Sequence, residues 1–477
     1  MAERMLQFVR LGQQTPDKRP PQLRAQDFAE IYARFTKSAA ADQASRCSQC
    51  GVPFCSIHCP LGNNIPDWLK LTAEGRLRDA YDVSAATNNF PEICGRICPQ
   101  DRLCEGTCVI ERDFNAVTIG AVERFITDTA FTEGWVQPIR PARERASSVG
   151  IIGAGPAGLA AAEQLRRHGH QVHVYDRYDR AGGLLIYGIP GFKLEKPIVL
   201  RRQALLAEGG VIFHLGAEIG PDLPLAALRA RHHAVLIATG VYQARALDAA
   251  GHHLPGIVPA LPYLTTANRV GLGDPVPCFA TGALNANGRH VVVVGGGDTA
   301  MDCVRTAIRQ GAASVTCLYR RDRANMPGSL REVAHAEEEG VTFLWLAAPQ
   351  AFLGTSQVTA VRAHRMRLSL PDASGRRAVE PIPGSDFTLE ADLVIQALGF
   401  DPEDIPTQFG EPDLKTNGWG TIATDPRSFQ TSLPGVFAAG DIVRGASLVV
   451  WAIRDGRDAA AAIHRHLGAH ATAIAAE

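Results

Sequence analysis

The sequence predicts an α/β protein in which two similar parallel-sheet domains follow a mainly α-helical, cysteine-rich domain. The first observation is a repeated layout. SVGIIGAGPAGLAAAEQLRRHGHQVHVYDR (148–177) and HVVVVGGGDTAMDCVRTAIRQGAASVTCLYRR (290–321) each indicate a strand, a glycine turn, a helix and a second strand. The second is that eight of the eleven cysteines fall between Cys47 and Cys108. The third is the length of 477 residues, which suggests about three domains.

The composition is ordinary for a folded protein, with 46% hydrophobic and 20% charged residues. The 48 Lys and Arg residues nearly balance 49 Asp and Glu, without a long run of one sign, so no nucleic-acid partner is expected. The N-terminal MAERMLQFVRLGQQTPDKRP lacks an apolar signal region, and every uncharged run is interrupted by Gly or Pro. We therefore expect a cytoplasmic protein without membrane spans.

The chain changes character near residue 140, after the linker GWVQPIRPARERASS. We predict a helical domain over 1–140, one nucleotide-binding domain over 141–265 and 396–477, and a second over 266–395. The strand ends VLIATG and LVIQALGF mark where the chain crosses between the last two. HAEEEG (335–340) is expected to be a solvent-exposed helix end.

The first glycine turn has the GxGxxG spacing of a dinucleotide site. Gly153 allows the tight turn, Gly155 lets the backbone approach a pyrophosphate, and Gly158 lets the helix pack closely on the strand. The next strand ends at Asp176, whose carboxylate can accept hydrogen bonds from ribose hydroxyls and would repel a 2′-phosphate. The unit therefore suits FAD or NAD(H).

The second turn differs at the end of its second strand. Arg320 and Arg321 stand there, where an acid would stand in an NAD site. Arginines offer charge-assisted bonds to a 2′-phosphate, which predicts NADPH; the alternative is that both only lie on an exposed loop. The predicted NADPH-binding residues are Gly295, Gly297, Asp298, Thr299, Arg320 and Arg321.

Late in the chain, VFAAGD (436–441) ends a strand, and SLVVWAIRDGRDAAAAI after it is helical. Asp441 could bond a ribityl chain beside the first sheet, and the helix N-terminus near Ser447 could stabilise negative charge on a reduced flavin. This pairing assigns FAD to the first unit. The predicted FAD-binding residues are Gly153, Gly155, Gly158, Asp176, Gly183, Gly240, Gly440 and Asp441.

On the motifs GAGPAG, ATG, GGGDTAMD and AAGD, residues 148 to 467 resemble the flavoprotein oxidoreductases with two dinucleotide-binding domains. Members that work through a redox disulfide carry a paired-cysteine motif beside the flavin. The corresponding RAGGLLIYGIPG contains no cysteine, so electrons are expected to leave the flavin by another route.

The spacing C-x2-C-x4-C-x3-C from Cys47 to Cys59 admits disulfides, zinc or iron–sulfur ligation. Disulfides need an oxidising compartment, and zinc carries no electrons. Beside a flavin that lacks its own dithiol, a redox metal explains more, which favours iron–sulfur ligation.

RCSQCGVPFCSIHC, followed by CGRICPQDRLCEGTC and IGAVERF, resembles the iron–sulfur domain of dihydropyrimidine dehydrogenase and of the small subunits of NADPH-dependent glutamate synthases. The resemblance implies two 4Fe–4S clusters with crossed ligation. Cys94 is the rival of Glu123 as fourth ligand of the second cluster, and Glu123 would otherwise be an exposed helix acid. The implied ligands are Cys47, Cys50, Cys55 and Cys108 for one cluster and Cys59, Cys98, Cys104 and Glu123 for the other.

Over its full length the chain resembles the glutamate synthase small subunits. That implies electron transfer from NADPH through FAD and the clusters to a large (α) subunit with FMN and glutaminase sites, in a hetero-oligomer that makes two glutamates from glutamine and 2-oxoglutarate. No catalytic side chain is expected, because hydride transfer belongs to the cofactors. The alternatives are an equivalent subunit of a pyrimidine dehydrogenase or of an NADPH:ferredoxin oxidoreductase, and a non-catalytic zinc-binding protein.

Overall fold

The N-terminal region of the computed structural model is helical. The model describes residues 5–371 and 377–474, so the predicted domain limits at 1 and 477 lie outside the described residues. Prolines open several of the short helices, where the missing N–H leaves no hydrogen bond unmade. The helices are α1 (Pro21–Arg24), α2 (Lys37–Ser45), α3 (Phe54–Ile57), α4 (Ile65–Ala73), α5 (Leu77–Thr87), α6 (Pro91–Ile97), α7 (Glu111–Phe114) and α8 (Ile119–Thr132), with 3₁₀ turns at Gln7–Val9 and Gln100–Arg102.

Strands and helices alternate after residue 147, as the repeated layout predicts. The first stretch contains β1 (Ser148–Ile152), α9 (Pro156–Arg167), β2 (Gln171–Asp176), α10 (Leu184–Tyr187), α11 (Lys196–Glu208), β3 (Val211–Leu215), α12 (Leu225–Arg231) and β4 (Ala234–Ile237). The second contains β5 (Gln243–Ala244), β6 (Ile257–Pro259), α13 (Ala260–Gly271), α14 (Pro277–Ala280), β7 (His290–Val294), α15 (Asp298–Arg309), β8 (Ser314–Tyr319), a 3₁₀ turn (Arg323–Asn325), α16 (Leu330–Glu338) and β9 (Thr342–Trp345).

The remaining chain builds a small antiparallel sheet and then returns to the first parallel sheet. Its elements are β10 (Ala347–Leu353), β11 (Ala360–Pro371), β12 (Arg377–Pro381), β13 (Phe387–Glu390), β14 (Leu393–Gln396), β15 (Phe400–Asp401), α17 (Ile405–Gln408), β16 (Val436–Ala438), α18 (Asp441–Arg444) and α19 (Val449–Ile474).

Two five-stranded parallel sheets form the framework, in the orders β16-β4-β1-β2-β3 and β6-β14-β7-β8-β9. Strands β1 and β4 are buried along their whole length, which explains their continuous apolar runs. The two chain segments that cross between the sheets pair with each other as β5 and β15. Each glycine turn therefore lies at the carboxyl end of a central strand, where α/β sheets bind ligands.

The α/β class and the order of the three regions are confirmed. The division of domains at residue 265 remains a prediction, although β6 already pairs with β14 in the second sheet. Within the described residues, every helix is too short or too polar to cross a bilayer.

Candidate functional site

One cavity of about 340 Å³ reaches all three regions of the molecule. It lies above the carboxyl ends of both parallel sheets, against the turn that follows α6. Its lining includes Gly153, Gly155, Asp176, Thr239, Gly240 and Asp441 around the first sheet, Asp298 and Thr299 at the start of α15, and Cys98 and Gln100 from the helical region. The structure thus brings the first predicted nucleotide turn, the residues that directly follow the second turn and one predicted cluster ligand to a common space, whereas Gly295, Gly297, Arg320 and Arg321 are not part of the lining.

The first turn is built for close backbone approach. Gly153 has φ 107°, and a Cβ there would overlap the carbonyl oxygen of Ala238 at the end of β4. Gly155 precedes α9 and faces open space, whereas a Cβ at Gly158 would overlap the carbonyl oxygen of Gly153. The turn therefore presents free backbone N–H groups at the start of a twelve-residue helix, the arrangement that suits a pyrophosphate.

Asp176 is fixed by the backbone at the end of β2. Its carboxylate accepts hydrogen bonds from the N–H of Ala154 at 2.6 Å and from the N–H of Tyr178 at 2.8 Å. Burial raises the pKa of the group, because the charged form is desolvated. The carboxylate lines the cavity and keeps lone pairs that could accept ribose hydroxyls.

The other predicted flavin glycines surround the same turn. A Cβ at Gly183 would lie 3.0 Å from the Cα of Gly155, and one at Gly440 would lie 2.8 Å from the Cβ of Ala157. At Gly240 the nearest atom would be in the ring of Tyr242, at 3.3 Å. Larger residues at these positions would crowd the turn itself.

Two buried oxygens beside the turn have no hydrogen-bond partner among the residues that the structure describes. They are Oδ1 of Asp441 and Oγ1 of Thr239, and both residues line the cavity. Burial raises the pKa of Asp441 to about 6, although the N–H of Ser447 opposes the shift. Because unmade buried hydrogen bonds are costly, these atoms fit a ligand rich in hydroxyl groups, such as the ribityl chain of FAD.

The second turn repeats this geometry around α15. Gly295 has φ 150°, and a Cβ there would overlap the carbonyl oxygen of Ala397, while Gly297 faces open space. Arg320 is exposed, but Arg321 is half-buried and its Nε finds no partner within the described chain. Arg321 is thus less exposed than a purely surface arginine, and its unpartnered Nε is compatible with the predicted bond to a 2′-phosphate, which stays a prediction.

The eight cysteines of the helical region gather into two groups. Burial raises the pKa of Cys47, and Cys108 and Cys50 raise it further. Burial also raises the pKa of Cys55 to about 12, again with contributions from Cys47 and Cys108. These four thiols are therefore neighbours. We call them the outer group.

The second set, which we call the inner group, consists of Cys59, Cys94, Cys98, Cys104 and Glu123. Burial raises the pKa of Cys59 to about 11, with contributions from Glu123 and Cys94. A hydrogen bond with Cys94, followed by burial, raises the pKa of Cys98. Burial raises the pKa of Cys104, and Cys59 and, from the outer group, Cys55 raise it further. The two groups are therefore adjacent.

Both rivals for the fourth inner position are buried. Glu123 is 8% exposed and accepts hydrogen bonds from Asn88 Nδ2 at 3.2 Å and Ser84 Oγ at 3.4 Å; burial raises its pKa to about 8. Cys94 donates to Asn88 Oδ1 at 3.7 Å. The interpretation of Glu123 as an exposed helix acid is wrong, and both rivals touch the same asparagine.

The thiol groups suit multi-iron centres in their chemistry. In residues 5–371 and 377–474, no three His, Cys, Asp or Glu side chains stand close enough to hold a metal ion. The thiolates of a four-iron cluster each bind a different iron atom and so stand further apart than the ligands of one ion. All eleven cysteines are free thiols.

Sequence reasoning missed a buried network of charges that joins the regions. The carboxylate of Glu339 forms ion pairs with Arg309 at 2.6 Å, with Arg305 at 2.9 Å and, from the helical region, with Arg24 at 2.9 Å. The expectation that HAEEEG is a solvent-exposed helix end holds for Glu337 and Glu338 but is wrong for Glu339, whose side chain is fully buried among these three arginines. Arg24 lies far from Arg305 and Arg309 in sequence, so only the folded chain reveals the network.

The comparisons with known proteins agree with this geometry. A family model of pyridine nucleotide-disulphide oxidoreductases matches residues 147–456, and one described as dihydropyrimidine dehydrogenase domain II, 4Fe-4S cluster, matches residues 24–135. The glutamate synthase (NADPH) small chain of Azospirillum brasilense is 66% identical over 100% of this chain and 99% of its own length. The chain belongs to the glutamate synthase small-chain family.

More distant relatives also match this chain over most of its length. The small chain of Escherichia coli K12 is 44% identical over 96% of this chain and 98% of its own length. Among solved structures, Mycobacterium tuberculosis FprA in complex with NADPH has a TM-score of 0.58 at 20% identity, covering 69% of this chain and 86% of that one. That likeness shows the shared fold. The small-chain family and the iron–sulfur domain model favour iron–sulfur ligation over the zinc and disulfide alternatives.

Proposed function

We propose that this chain is the electron-input subunit of an NADPH-dependent glutamate synthase. It oxidises NADPH and passes the electrons through FAD and two 4Fe–4S clusters to a large (α) subunit that carries FMN and the glutaminase site. The overall reaction converts L-glutamine, 2-oxoglutarate, NADPH and a proton into two L-glutamates and NADP⁺. The observation that carries this proposal is the cavity lined by the first glycine turn, by the start of α15 directly after the second turn, and by Cys98.

Flavin chemistry allows this combination, since FAD accepts a two-electron hydride and releases single electrons to iron–sulfur clusters. The residues of this chain bind and orient. Asp176, Thr239 and Asp441 hold FAD through its hydroxyl groups, and Arg321, with the exposed Arg320, holds the 2′-phosphate of NADPH. No side chain needs to act as acid or base in the hydride step.

The packing of the cysteine groups supports an outward direction of electron flow. Cys98 and Cys94 belong to the same hydrophobic core as Ala154 and Ala157 of the first turn. Cys47 of the outer group belongs instead to a different core of the helical region, against which Cys55 and Cys108 pack together with Cys59 and Cys104 of the inner group. We therefore place the inner cluster next to FAD and the outer cluster next to the partner.

The surface around the outer group supports this position for the large subunit. Four large apolar side chains are exposed there: Val52 at 59%, Phe54 at 47%, Ile57 at 60% and Val109 at 56%. Contiguous exposed apolar residues mark interaction sites. Ile57→Glu should weaken assembly with the large subunit in sedimentation experiments, whereas Trp419→Glu, at an even more exposed apolar residue elsewhere in the sequence, should not. Equal effects of both changes would contradict this docking surface.

The test of the proposal is anaerobic purification with iron, sulfide and flavin analysis, followed by NADPH titration under optical and electron paramagnetic resonance (EPR) spectroscopy. We expect about eight iron and about eight sulfide per FAD, and bleaching by NADPH in preference to NADH. The free thiols suit the reducing cytoplasm, where we place the protein. Zinc instead of iron, or a flavin that NADPH does not reduce, would contradict the proposal.

The fourth inner ligand can be tested with two matched variants. We propose Glu123, as the family resemblance implies, because its buried carboxylate lies in the inner group and could bind iron in place of a fourth thiolate. Glu123→Ala should lower the iron content from about eight to about four per chain, whereas Cys94→Ala should leave about eight. The reverse result would assign the position to Cys94.

A further inference from the structure

A short segment connects the second nucleotide turn to the inner cysteine group. Residues 326–331 join the 3₁₀ turn Arg323–Asn325 to α16, and we call them the strap. The strap lies between the start of α15 and the turn Gln100–Arg102, which separates Cys98 from Cys104. None of the roles proposed above uses it.

On the nucleotide side, the strap is bound to the glycine turn itself. The N–H of Gly328 donates to the carbonyl of Gly296 at 3.0 Å, and the N–H of Ser329 donates to Oδ1 of Asp298 at 3.0 Å. A Cβ at Gly328 would lie 3.1 Å from the Gly296 oxygen. A nucleotide at this turn would therefore lie next to groups that also hold the strap.

On the cluster side, three hydrogen bonds reach the turn between Cys98 and Cys104. The hydroxyl of Ser329 donates to the Asp101 carboxylate at 3.2 and 3.3 Å. The guanidinium of Arg102 donates to the carbonyl of Pro327, and that of Arg331 donates to Oε1 of Gln100. Ser329 thus bridges two carboxylates, one in each region.

Gln100 extends the connection to the inner group. Its side chain is 3% exposed and donates to the carbonyls of Cys94 at 3.0 Å and Gly95 at 3.3 Å, while its N–H donates to the carbonyl of Cys98 at 2.9 Å. A side chain at Gly120 would collide with it. Because this glutamine is buried, fully hydrogen-bonded and without free space around it, a displacement of the strap is transmitted through it to the inner group.

We propose that the strap couples nucleotide binding to the reduction potential of the inner cluster, with Ser329 and Arg331 as positioning residues. This inference rests on the proposed function. Bound nucleotide brings the negative charge of its phosphates to the turn that holds the strap. The hydrogen bonds of Ser329, Arg331 and Gln100 polarise one another and transmit this change to the backbone around the inner group, which disfavours an added electron on the cluster and lowers its potential. By thermodynamic linkage, the reduced cluster binds the nucleotide more weakly by the same factor. Arrival of an electron thereby favours release of NADP⁺.

The experiment measures the midpoint potentials of the purified holoprotein by EPR-monitored redox titration. The probe is 2′-phospho-ADP-ribose, which carries the phosphates of NADPH but lacks the nicotinamide and so takes up no electrons. We expect one of the two cluster midpoints to fall by an amount equal to at least a threefold weaker binding to the reduced form, about 28 mV for one electron. The midpoint of the other cluster should change by less than about 10 mV, which corresponds to a change of about 1.5-fold in binding.

The variants separate the strap from a direct electrostatic effect of the nucleotide. Ser329→Ala and Arg331→Met should each reduce the shift below about 1.5-fold while keeping iron, flavin and probe binding. Arg323→Met, on the preceding turn, removes an exposed ion pair with Glu337 and should keep the full shift. Ser329→Ala removes one hydroxyl only, so it remains informative if Arg331→Met does not fold.

A wild-type protein that binds the probe without a shift in either midpoint would overturn the coupling and leave the proposed function intact. A full shift in Ser329→Ala and in Arg331→Met would also overturn it, because the effect would then act through space. A protein that contains no iron or does not bind the probe would overturn the proposed function, and this inference with it.

Discussion

The two glycine-turn units share the same strand–turn–helix arrangement. They differ in the interactions that pack the helix of each unit against the rest of the molecule. In the first unit, α9 packs against α19 so closely that a Cβ at Gly456 would overlap the carbonyl oxygen of Ala157. In the second unit, the outer face of α15 is held by buried ion pairs of Arg305 and Arg309 with Glu339. One interface depends on the absence of side chains, and the other depends on charge.

The units differ in the same way at the position that selects the nucleotide. The first places a backbone-held carboxylate, Asp176, at the end of its second strand; the second places Arg321, whose Nε has no partner among the described residues. The shared turn provides a pyrophosphate site in both, since Gly155 and Gly297 face open space. The comparison teaches that the same turn geometry suits the pyrophosphate common to two cofactors, while the strand ends differ in charge, which we propose selects between them.

The largest effects should come from the turns. Gly153→Ala and Gly295→Ala each place a Cβ into a carbonyl oxygen at positive φ, which should cost at least about 3 kcal/mol, or about 100-fold in affinity. The first variant should lose flavin, measured by absorbance. The second should keep flavin but lose reduction by NADPH in stopped-flow experiments. Gly271→Ala, where the new methyl group meets open space, is the control. Full flavin in Gly153→Ala would refute the assignment of FAD.

The next largest effect is expected at Glu339, the buried carboxylate that binds the arginines of the second unit. Glu339→Gln leaves three buried arginines without this carboxylate and should lower the free energy of unfolding by about 3 kcal/mol at pH 7, measured by denaturant titration. Glu337→Gln, in an exposed pair with Arg323, should change it by less than about 0.5 kcal/mol. Equal losses in both variants would show that burial of the pair is not what matters.

The pH dependence of the same carboxylate gives a second measurement. Although burial opposes it, hydrogen bonds from Arg309 and Arg305 lower the pKa of Glu339 to about 2. The unfolded group titrates near about 4.3, so its contribution is complete above that pH and is lost as the pH falls towards about 2. The fall in stability over this range should be shallower in Glu339→Gln than in the wild type. Parallel curves would contradict the assigned pKa.

A smaller effect is expected at the strand end. Arg321→Met removes a charge-assisted hydrogen bond of about 1.5–3 kcal/mol and should reduce the preference for NADPH over NADH by about 10- to 100-fold. Arg320→Met, which removes an exposed arginine, should reduce the preference less. The measurement is kcat/KM for each nucleotide with an artificial electron acceptor. An unchanged preference in both variants would return these arginines to the role of surface residues.

The smallest effect concerns the first unit. Asp441→Ala removes an acceptor for one ligand hydroxyl and should weaken FAD binding by about 1 kcal/mol, or about fivefold, measured by flavin fluorescence. Binding of 2′-phospho-ADP-ribose at the second unit should not change. A loss of probe binding would mean that the two sites are less separate than the comparison implies.

Much of this architecture could be predicted from local patterns. The repeated strand–turn–helix layout predicted both parallel sheets, because strand burial and glycine spacing are properties of short segments. The cysteine spacing identified the metal-binding region before any folding was known. Resemblance was needed for the crossed ligand sets, since spacing alone could not divide eight cysteines between two groups.

Other features required the folded chain. Glu339 looked like one of several surface acids in HAEEEG, and only folding brings Arg24 to it across more than half of the sequence. Arg320 and Arg321 are adjacent in sequence and equivalent in composition, yet burial distinguishes them. The strap could not be predicted from the sequence for the same reason. Its residues and those of the two segments that it contacts are ordinary polar stretches, and only folding brings them together.

The sequence by itself determined the fold class, the two glycine turns and the inventory of clustered cysteines, because each depends on residues within a few positions of one another. The tertiary structure alone decided which charges are buried, that one cavity joins three regions, and that Ser329 stands between Asp298 and Asp101. These depend on contacts between residues far apart in the chain. Such contacts are stabilised by burial over the whole molecule and leave no local pattern in the sequence.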